Sequence, residues 1–319
     1  MIDIENFYEA KSVEDAITQL SLDEKAELIS GGTDVLVKIR SGRGEGMSLV
    51  SIHEIPELKG VDMLLDGTVV IGPATVFSSL EKDPVIVKNF PELGEAAGTV
   101  GGPQIRNMGT VGGNICNGAT SADTGSVMQT LNAVLVLQGP DGTREIPVTS
   151  FYTGPGRTVR AREEILTAIL VKPEDYIGFS GCYMKYGKRR AMEIATLGCS
   201  VRVRLTNDST GACVLGDVRI GLGVAAPTPI RCRETEAALK GKRADDPEIY
   251  RLIRAGVLNE VNPRSSWRAS REFRLALISE LSARALRQAI LRGRGEGEPG
   301  AGYFPPVEEG QDPREVPGA

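Results

Sequence analysis

Two glycine-rich segments constrain this chain more than any other feature. The first reads Leu28-Ile29-Ser30-Gly31-Gly32-Thr33-Asp34-Val35 and the second Gly109-Thr110-Val111-Gly112-Gly113-Asn114-Ile115-Cys116-Asn117-Gly118. Paired glycines let backbone N–H groups come close to a ligand and tolerate positive φ. The first segment follows the apolar run Ala26 to Ile29 and precedes Val35, Leu36 and Ile39, which stand at helical spacing. Strand, glycine loop and helix in that order offer free N–H groups to an anion. One such loop alone reads equally well as a tight turn with a helix cap. Two, the second inside a glycine-dense stretch from 98 to 126, point to a phosphate-bearing ligand gripped from two sides. No glycine fingerprint of the dinucleotide-binding type stands between a strand and a helix, and no G-x-x-x-x-G-K-[ST] occurs.

With 319 residues the chain is long enough for two or three domains. A net charge of −5 argues against a nucleic-acid partner, which needs a basic face. No apolar run approaches the ~20 residues of a membrane span. The acidic start Met1-Ile2-Asp3-Ile4-Glu5 lacks the basic and apolar regions of a signal peptide, so a cytoplasmic protein is expected. The five cysteines, Cys116, Cys182, Cys199, Cys213 and Cys232, are odd in number and form no C-x-x-C, which disfavours a disulfide framework or an iron–sulfur site. His53 is the only histidine, which disfavours a His-based triad or zinc centre, and no metal site is expected.

Along the chain, Ser12 and Asp15 resemble a capping box ahead of Val13, Ala16, Ile17 and Leu20 at helical spacing. Residues 41–46 read as a flexible connection. Strands are expected at Leu49 to Ile52 and Thr68 to Gly72, and helices through 74–98 around Phe77, Leu80, Leu93, Ala96 and Ala97. The stretch 98–126 reads as a long functional loop region. Alternation marks a strand at Ala133 to Leu137, and Glu164-Ile165-Leu166 and Ala168 to Val171 continue the strand-rich reading. A boundary is placed near Pro173 to Gly178. Beyond it, Ala195 to Leu205 and Val214 to Val224 read as antiparallel strands about the turn Asn207 to Gly211. Helices follow near Glu234–Leu239, Glu248–Val261 and Ser270–Leu291, the last with Phe273, Leu277, Leu281 and Ala285 on one stripe. From Gly293 the composition is that of a disordered tail.

Single residues carry two readings each. Asp34 would repel a diphosphate, so it is expected to cap the following helix or accept from a ligand N–H or hydroxyl. Asp123 is a turn residue or an acceptor for a sugar hydroxyl, and the turn is favoured from the residues alone. Lys185, amid Tyr183, Tyr186, Lys188, Arg189 and Arg190, is a solvated basic face or a cation at a ligand, the former being commoner. His53 reads as a surface residue, Trp267 as a packing residue of the C-terminal part, and the cysteines as small apolar residues. Only Cys116 falls near a candidate site.

These motifs together are similar to those of a known family. The stretches Gly31-Gly32-Thr33-Asp34, Gly102-Pro103-Gln104-Ile105-Arg106-Asn107, Thr110 to Asp123, Phe151-Tyr152-Thr153-Gly154-Pro155-Gly156, Gly223-Val224-Ala225-Ala226-Pro227-Thr228-Pro229 and Pro263 to Ser270 resemble, in order, the FAD-binding medium subunits of the molybdenum hydroxylases. Within these the likeness is to the bacterial xanthine dehydrogenase branch. The resemblance implies an α+β chain. A two-lobed FAD-binding domain of the vanillyl-alcohol-oxidase type (PCMH type) would cover 1–176. A smaller domain with a three-stranded antiparallel sheet and a helical bundle would cover 177–291, with a disordered tail at 292–319. Carried over by position, Leu28, Ile29, Ser30, Gly31, Gly32, Thr33, Asp34 and Val35 would wrap the diphosphate of FAD, and Thr110, Val111, Gly112, Gly113 and Asn114 would form the opposite clamp. Asp123 would hydrogen-bond the cofactor, with Leu166 and Lys185 also at FAD. Val100 stands where vertebrate relatives carry a phenylalanine near the cofactor. The chain itself would carry no catalytic side chain.

The resemblance further implies a large molybdenum-cofactor subunit and a small subunit with two [2Fe–2S] clusters as partners, in a dimer of heterotrimers. Electrons would arrive from those clusters and leave as a hydride to NAD⁺. Carbon monoxide, aldehyde, purine and nicotinate dehydrogenases use similar subunits. Thr33-Asp34, where those often have His-Ser, favours the xanthine branch. A scaffold that lost FAD is the reading of a different class, and the intact glycine pairs argue against it.

Overall fold

The structure is a computed structural model that describes residues 4–42, 46–189 and 191–297, together with the backbone of Tyr303 and Phe304. Arg190, residues 43–45 of the expected flexible connection and nearly all of the expected tail beyond 297 lie outside the described residues.

The first lobe comprises β1 (Ile4–Glu9), α1 (Val13–Leu22), β2 (Ala26–Ile29), α2 (Val35–Arg40) and β3 (Met47–Ser51). The Ser12 hydroxyl accepts from Asp15 N at 3.2 Å and starts α1 as its sequence predicts, a cap worth about 1 kcal/mol. Val13, Ala16, Ile17 and Leu20 are the buried face of that helix. The strands run parallel in the order β1-β3-β2. Their carboxyl ends therefore share one edge, where open α/β sheets bind ligands.

The second lobe opens with β4 (Val61–Met63) and β5 (Val69–Ile71). Six short helices follow: α3 (Phe77–Leu80), α4 (Pro84–Asn89), α5 (Pro91–Gly98), α6 (Pro103–Arg106), α7 (Val111–Cys116) and α8 (Asp123–Thr130). The strands β6 (Val134–Gly139) and β7 (Gly142–Pro147), the small pair β8 (Tyr152–Gly154) and β9 (Arg157–Thr158), and β10 (Ile165–Val171) complete it. Its sheet is antiparallel in the order β4-β5-β10-β6-β7, and Ile169 pairs with Ile71 on one side and Leu135 on the other. Phe77, Leu80, Leu93, Ala96 and Ala97 are buried in its core as expected. The stretch 98–126 is helical where a loop is expected. Pro103 opens α6, and the Thr110 hydroxyl accepts from Gly113 N at 3.2 Å to cap α7. Helices of four to eight residues are too short to show a repeating apolar stripe in sequence.

After α9 (Pro173–Tyr176), three long antiparallel strands follow, β11 (Phe179–Tyr186), β12 (Leu197–Asn207) and β13 (Cys213–Gly223). The two-residue edge strands β14 (Ile230–Arg231) and β15 (Tyr303–Phe304) extend the sheet to five, in the order β14-β13-β12-β11-β15. The helices α10 (Arg233–Leu239), α11 (Glu248–Asn259) and α12 (Arg271–Gly293) share a core with this sheet. Leu277, Leu281 and Ala285 are buried on α12. Phe273 departs from the expected stripe: it is 41% exposed, its ring edge-on to Tyr186 at 5.5 Å. It lies in the first turn of α12, near Ser270, whose hydroxyl caps the helix. The second lobe docks on this sheet through α5 on β11 and α8 on β12 and β13. Buried ion pairs span that seam: Arg202 with Glu92, and Arg219 with Asp175 at 2.9 Å.

Candidate cofactor site

The first glycine segment leaves β2 at the carboxyl edge of the parallel sheet. The N–H groups of Gly31, Gly32, Thr33, Asp34 and Val35 meet no backbone acceptor among the described residues. Gly32 takes φ +69°, the left-handed region that glycine adopts without steric cost. The Ser30 hydroxyl is buried without a partner. Gly31 lies against the Met108 carbonyl, and any Cβ there would collide with it. That contact brings the two glycine segments together.

The amides of the second segment are already bonded inside the fold. Val111 N donates to Thr75 O at 3.0 Å, Gly112 N to Pro73 O at 2.8 Å, and Asn114 N to Thr110 O at 3.0 Å. The side chain of Asn114 in this segment is held by Thr124, whose Oγ1 donates to Asn114 Oδ1 at 2.6 Å. That bond fixes the orientation of the amide.

Asp123 and Lys185 meet directly. Lys185 Nζ donates to Asp123 Oδ2 at 3.0 Å and to Thr99 O at 2.9 Å, and Tyr183 Oη donates to Asp123 Oδ1 at 2.8 Å. Lys185 is 3% exposed, so the solvated basic face is excluded for it. Burial raises the Asp123 carboxyl above its ordinary value, opposed by Lys185 and Tyr183. Tyr183 and Thr99 escaped the sequence reading. The available signal was the two-residue spacing of Tyr183 and Lys185, which puts both on one face of β11. Leu166 on β10 is buried in the second-lobe core, and Val100 packs beside that core half-buried.

Other expected residues fall differently. Asp34 occupies the cap position of α2, but its exposed carboxylate makes no capping bond, because its backbone is already helical (φ −107°, ψ −43°). His53 is half-buried rather than a surface residue. Its Nε2 is 3.7 Å from Glu54 Oε1 and its Nδ1 is buried without a partner. Trp267 does not pack in the C-terminal core. It is 77% exposed, with the Arg268 guanidinium 4.2 Å from its ring centroid, because it sits in irregular backbone ahead of α12. All five cysteines are free. Burial pushes the Cys116 thiol at the end of α7 up to about 11.

Known proteins share this architecture. Residues 3–173 match the family model of the FAD binding domain in molybdopterin dehydrogenase, and 182–289 match that of the CO dehydrogenase flavoprotein C-terminal domain. The chain belongs to the FAD-binding medium subunits of the molybdenum hydroxylase family. It is 38% identical over 296 residues to the xanthine dehydrogenase FAD-binding subunit of Escherichia coli O157:H7, covering 93% of this chain and 99% of that one. It is 31% identical over 287 residues to the carbon monoxide dehydrogenase medium chain of Hydrogenophaga pseudoflava, covering 90% and 97%. A solved structure of carbon monoxide dehydrogenase from the same organism superposes with a TM-score of 0.83 at 30% identity, covering 92% and 99%. The residues present fit FAD: unpaired amides at 31–35, the orphaned Ser30 hydroxyl and the glycine contact suit a diphosphate.

Proposed function

We propose that the chain is the electron-transfer subunit of a xanthine dehydrogenase-type complex, working beside a large molybdenum-cofactor subunit and a small subunit with two [2Fe–2S] clusters. The complex would be a cytoplasmic dimer of heterotrimers. The observation that carries this reading is the run of unpaired amides at Gly31 to Val35 beside the buried Ser30 hydroxyl. Those donors bind the diphosphate of FAD. Leu28 through Val35 form one wall and Thr110 through Asn114 the other, with Val100 and Leu166 as apolar neighbours. The Asp123 carboxylate, held by Tyr183 and Lys185, accepts from the polar edge of the flavin. Bound FAD would supply the redox chemistry, its reduced form holding the two electrons and the proton that leave together as a hydride to NAD⁺. The identity of 38% to a xanthine dehydrogenase subunit, against 31% to a carbon monoxide one, supports the xanthine branch. The division into 1–176 and 177–291 is part of this reading, and the family matches at 3–173 and 182–289 support it.

The test is the purified chain. It should carry a flavin absorption spectrum, release FAD on denaturation, and oxidise NADH with an artificial acceptor. A colourless chain that takes up no added FAD would sink the proposal.

A further inference from the structure

At the end of β11 the C-terminal sheet meets a cluster of arginines. A cavity of about 320 Å³ opens there, between Thr120 and Ser121, Ile194 and Ala195, Val224, and residues 264–268. Ala195 stands just ahead of Thr196, whose N–H donates to Tyr186 O at 2.9 Å. The Phe273 ring, one residue before Arg274, meets the Tyr186 ring edge-on at 5.5 Å. Arg264, Arg268 and Arg274 line the cavity, and no carboxylate does. None of the three forms an ion pair with a described residue, in contrast to the buried Arg202, Arg219 and Arg231, each of which has a carboxylate. Arg274 is only 2% exposed. Ser266 Oγ takes one of its donors at 2.8 Å, and its Nε has no partner. Arg268 Nε is likewise buried and unpaired. Buried cations without counter-ions are costly, so this arrangement calls for an anion.

The chain carries carboxylates of its own on a course toward this cavity. Strand β15 pairs with β11 in parallel, Tyr303 opposite Lys185 and Phe304 opposite Tyr186. Parallel pairing makes the chain leave Phe304 in the direction in which β11 leaves Tyr186, which is the end where the arginines stand. The residues that follow hold Glu308, Glu309, Asp312 and Glu315 against one basic residue, Arg314. Glu308 to Asp312 lie within a reach of roughly 13–28 Å from Phe304 in extended chain. This segment lies beyond the family match, which ends at residue 289, so it is an addition to the shared fold. A tethered carboxylate has an effective concentration on the order of millimolar, which sets it ahead of a scarcer free anion of equal intrinsic affinity.

We propose that the segment after Phe304 is an intramolecular latch: β15 anchors it on the edge of β11, and Glu308, Glu309 and Asp312 neutralise Arg264, Arg268 and Arg274. Thr120 and Ser121 lead directly into Ala122 and Asp123, so the latch covers one approach to the cofactor site. The test is phenylglyoxal modification of the full chain at low salt, with the rate at Arg268 read by mass spectrometry of its peptide. Wild-type Arg268 should react slowly, and added salt should speed it. Glu308→Gln, Glu309→Gln and Asp312→Asn together should raise the low-salt rate by about threefold or more. Arg251 on the exposed face of α11 should react alike in both chains. Tyr303→Pro removes a backbone donor from the β15 pairing. It should free Arg268 to the same extent and speed hydrogen exchange of the peptide that holds Lys185 and Tyr186. All these substitutions lie outside the packed core, and an unchanged thermal midpoint keeps the comparison between folded chains. Equal Arg268 rates in wild type and the charge variant overturn the latch. So does a charge variant that frees Arg268 while Tyr303→Pro does not, because the strand then anchors nothing. Protection that requires added inorganic phosphate overturns it in favour of a free anion. Protection that requires assembly with partner subunits overturns it in favour of an acidic segment of a partner. Flavin content plays no part in the readout, so its outcome is separate from that of the proposed function.

Discussion

At the scale of single residues, the site depends on what is missing as much as on what is present. Gly31 has room for hydrogen only, because the Met108 carbonyl occupies the space of a Cβ. Gly31→Val should push the glycine segments apart and abolish flavin content, read by absorbance, while the C-terminal half keeps its fold. Lys185 illustrates the reverse case. Its Nζ is bonded to Asp123 and Thr99, so Lys185→Met leaves a buried carboxylate without its counter-charge. The expected loss is about 3–5 kcal/mol by denaturant unfolding, with a large part regained on adding Asp123→Asn. The cysteines give a third expectation. Burial pushes Cys116 up to about 11 and Cys199 up to about 12, and raises Cys182 and Cys232 as well. A raised thiol pKa keeps the unreactive protonated form, so these four should resist iodoacetamide at pH 8 in the native chain. They should react at the ordinary thiol rate once it is unfolded, as mass spectrometry of the labelled peptides would show.

At the scale of elements, legibility follows length and periodicity. Helix α1, with its Ser12 cap and four buried apolar residues, is plain in the sequence, as are β12 and β13 with their turn. Helices α6, α7 and the start of α8 are hidden because α6 is a single turn behind Gly101 and Gly102, α7 and α8 carry glycines, and none is long enough to show a stripe. Their stability comes from caps and burial. Thr110→Ala removes the hydroxyl that caps α7 and should cost about 1 kcal/mol, measured as a shift of the unfolding midpoint in urea. The strand β11 is hidden for another reason. Its mixed Phe179-Ser180-Gly181-Cys182-Tyr183-Met184-Lys185-Tyr186 is buried on both faces, between α12 and the second-lobe helix α5, so no polar alternation remains to read.

At the scale of the whole molecule, the seam near residue 176 is a packed interface. Glu92, Glu95 and Asp175 on one side meet Arg202, Arg292 and Arg219 on the other. A chain divided between residues 176 and 177 would leave these charges and the faces of α5 and α8 uncovered. Each half should then aggregate when expressed alone, and the intact chain should unfold in one calorimetric transition. Among the described residues no helix is long and apolar enough to cross a membrane.

The sequence by itself determined the glycine segments, the principal elements and the family, because these rest on local backbone chemistry and on motifs contiguous along the chain. Only the tertiary structure decided which groups meet. It joined Asp123 to Lys185, left the donors of the first segment without backbone acceptors while bonding those of the second, and gathered Arg264, Arg268 and Arg274 with no carboxylate partner among the described residues. These outcomes depend on residues far apart in sequence, brought together by packing, and no local pattern encodes a long-range distance.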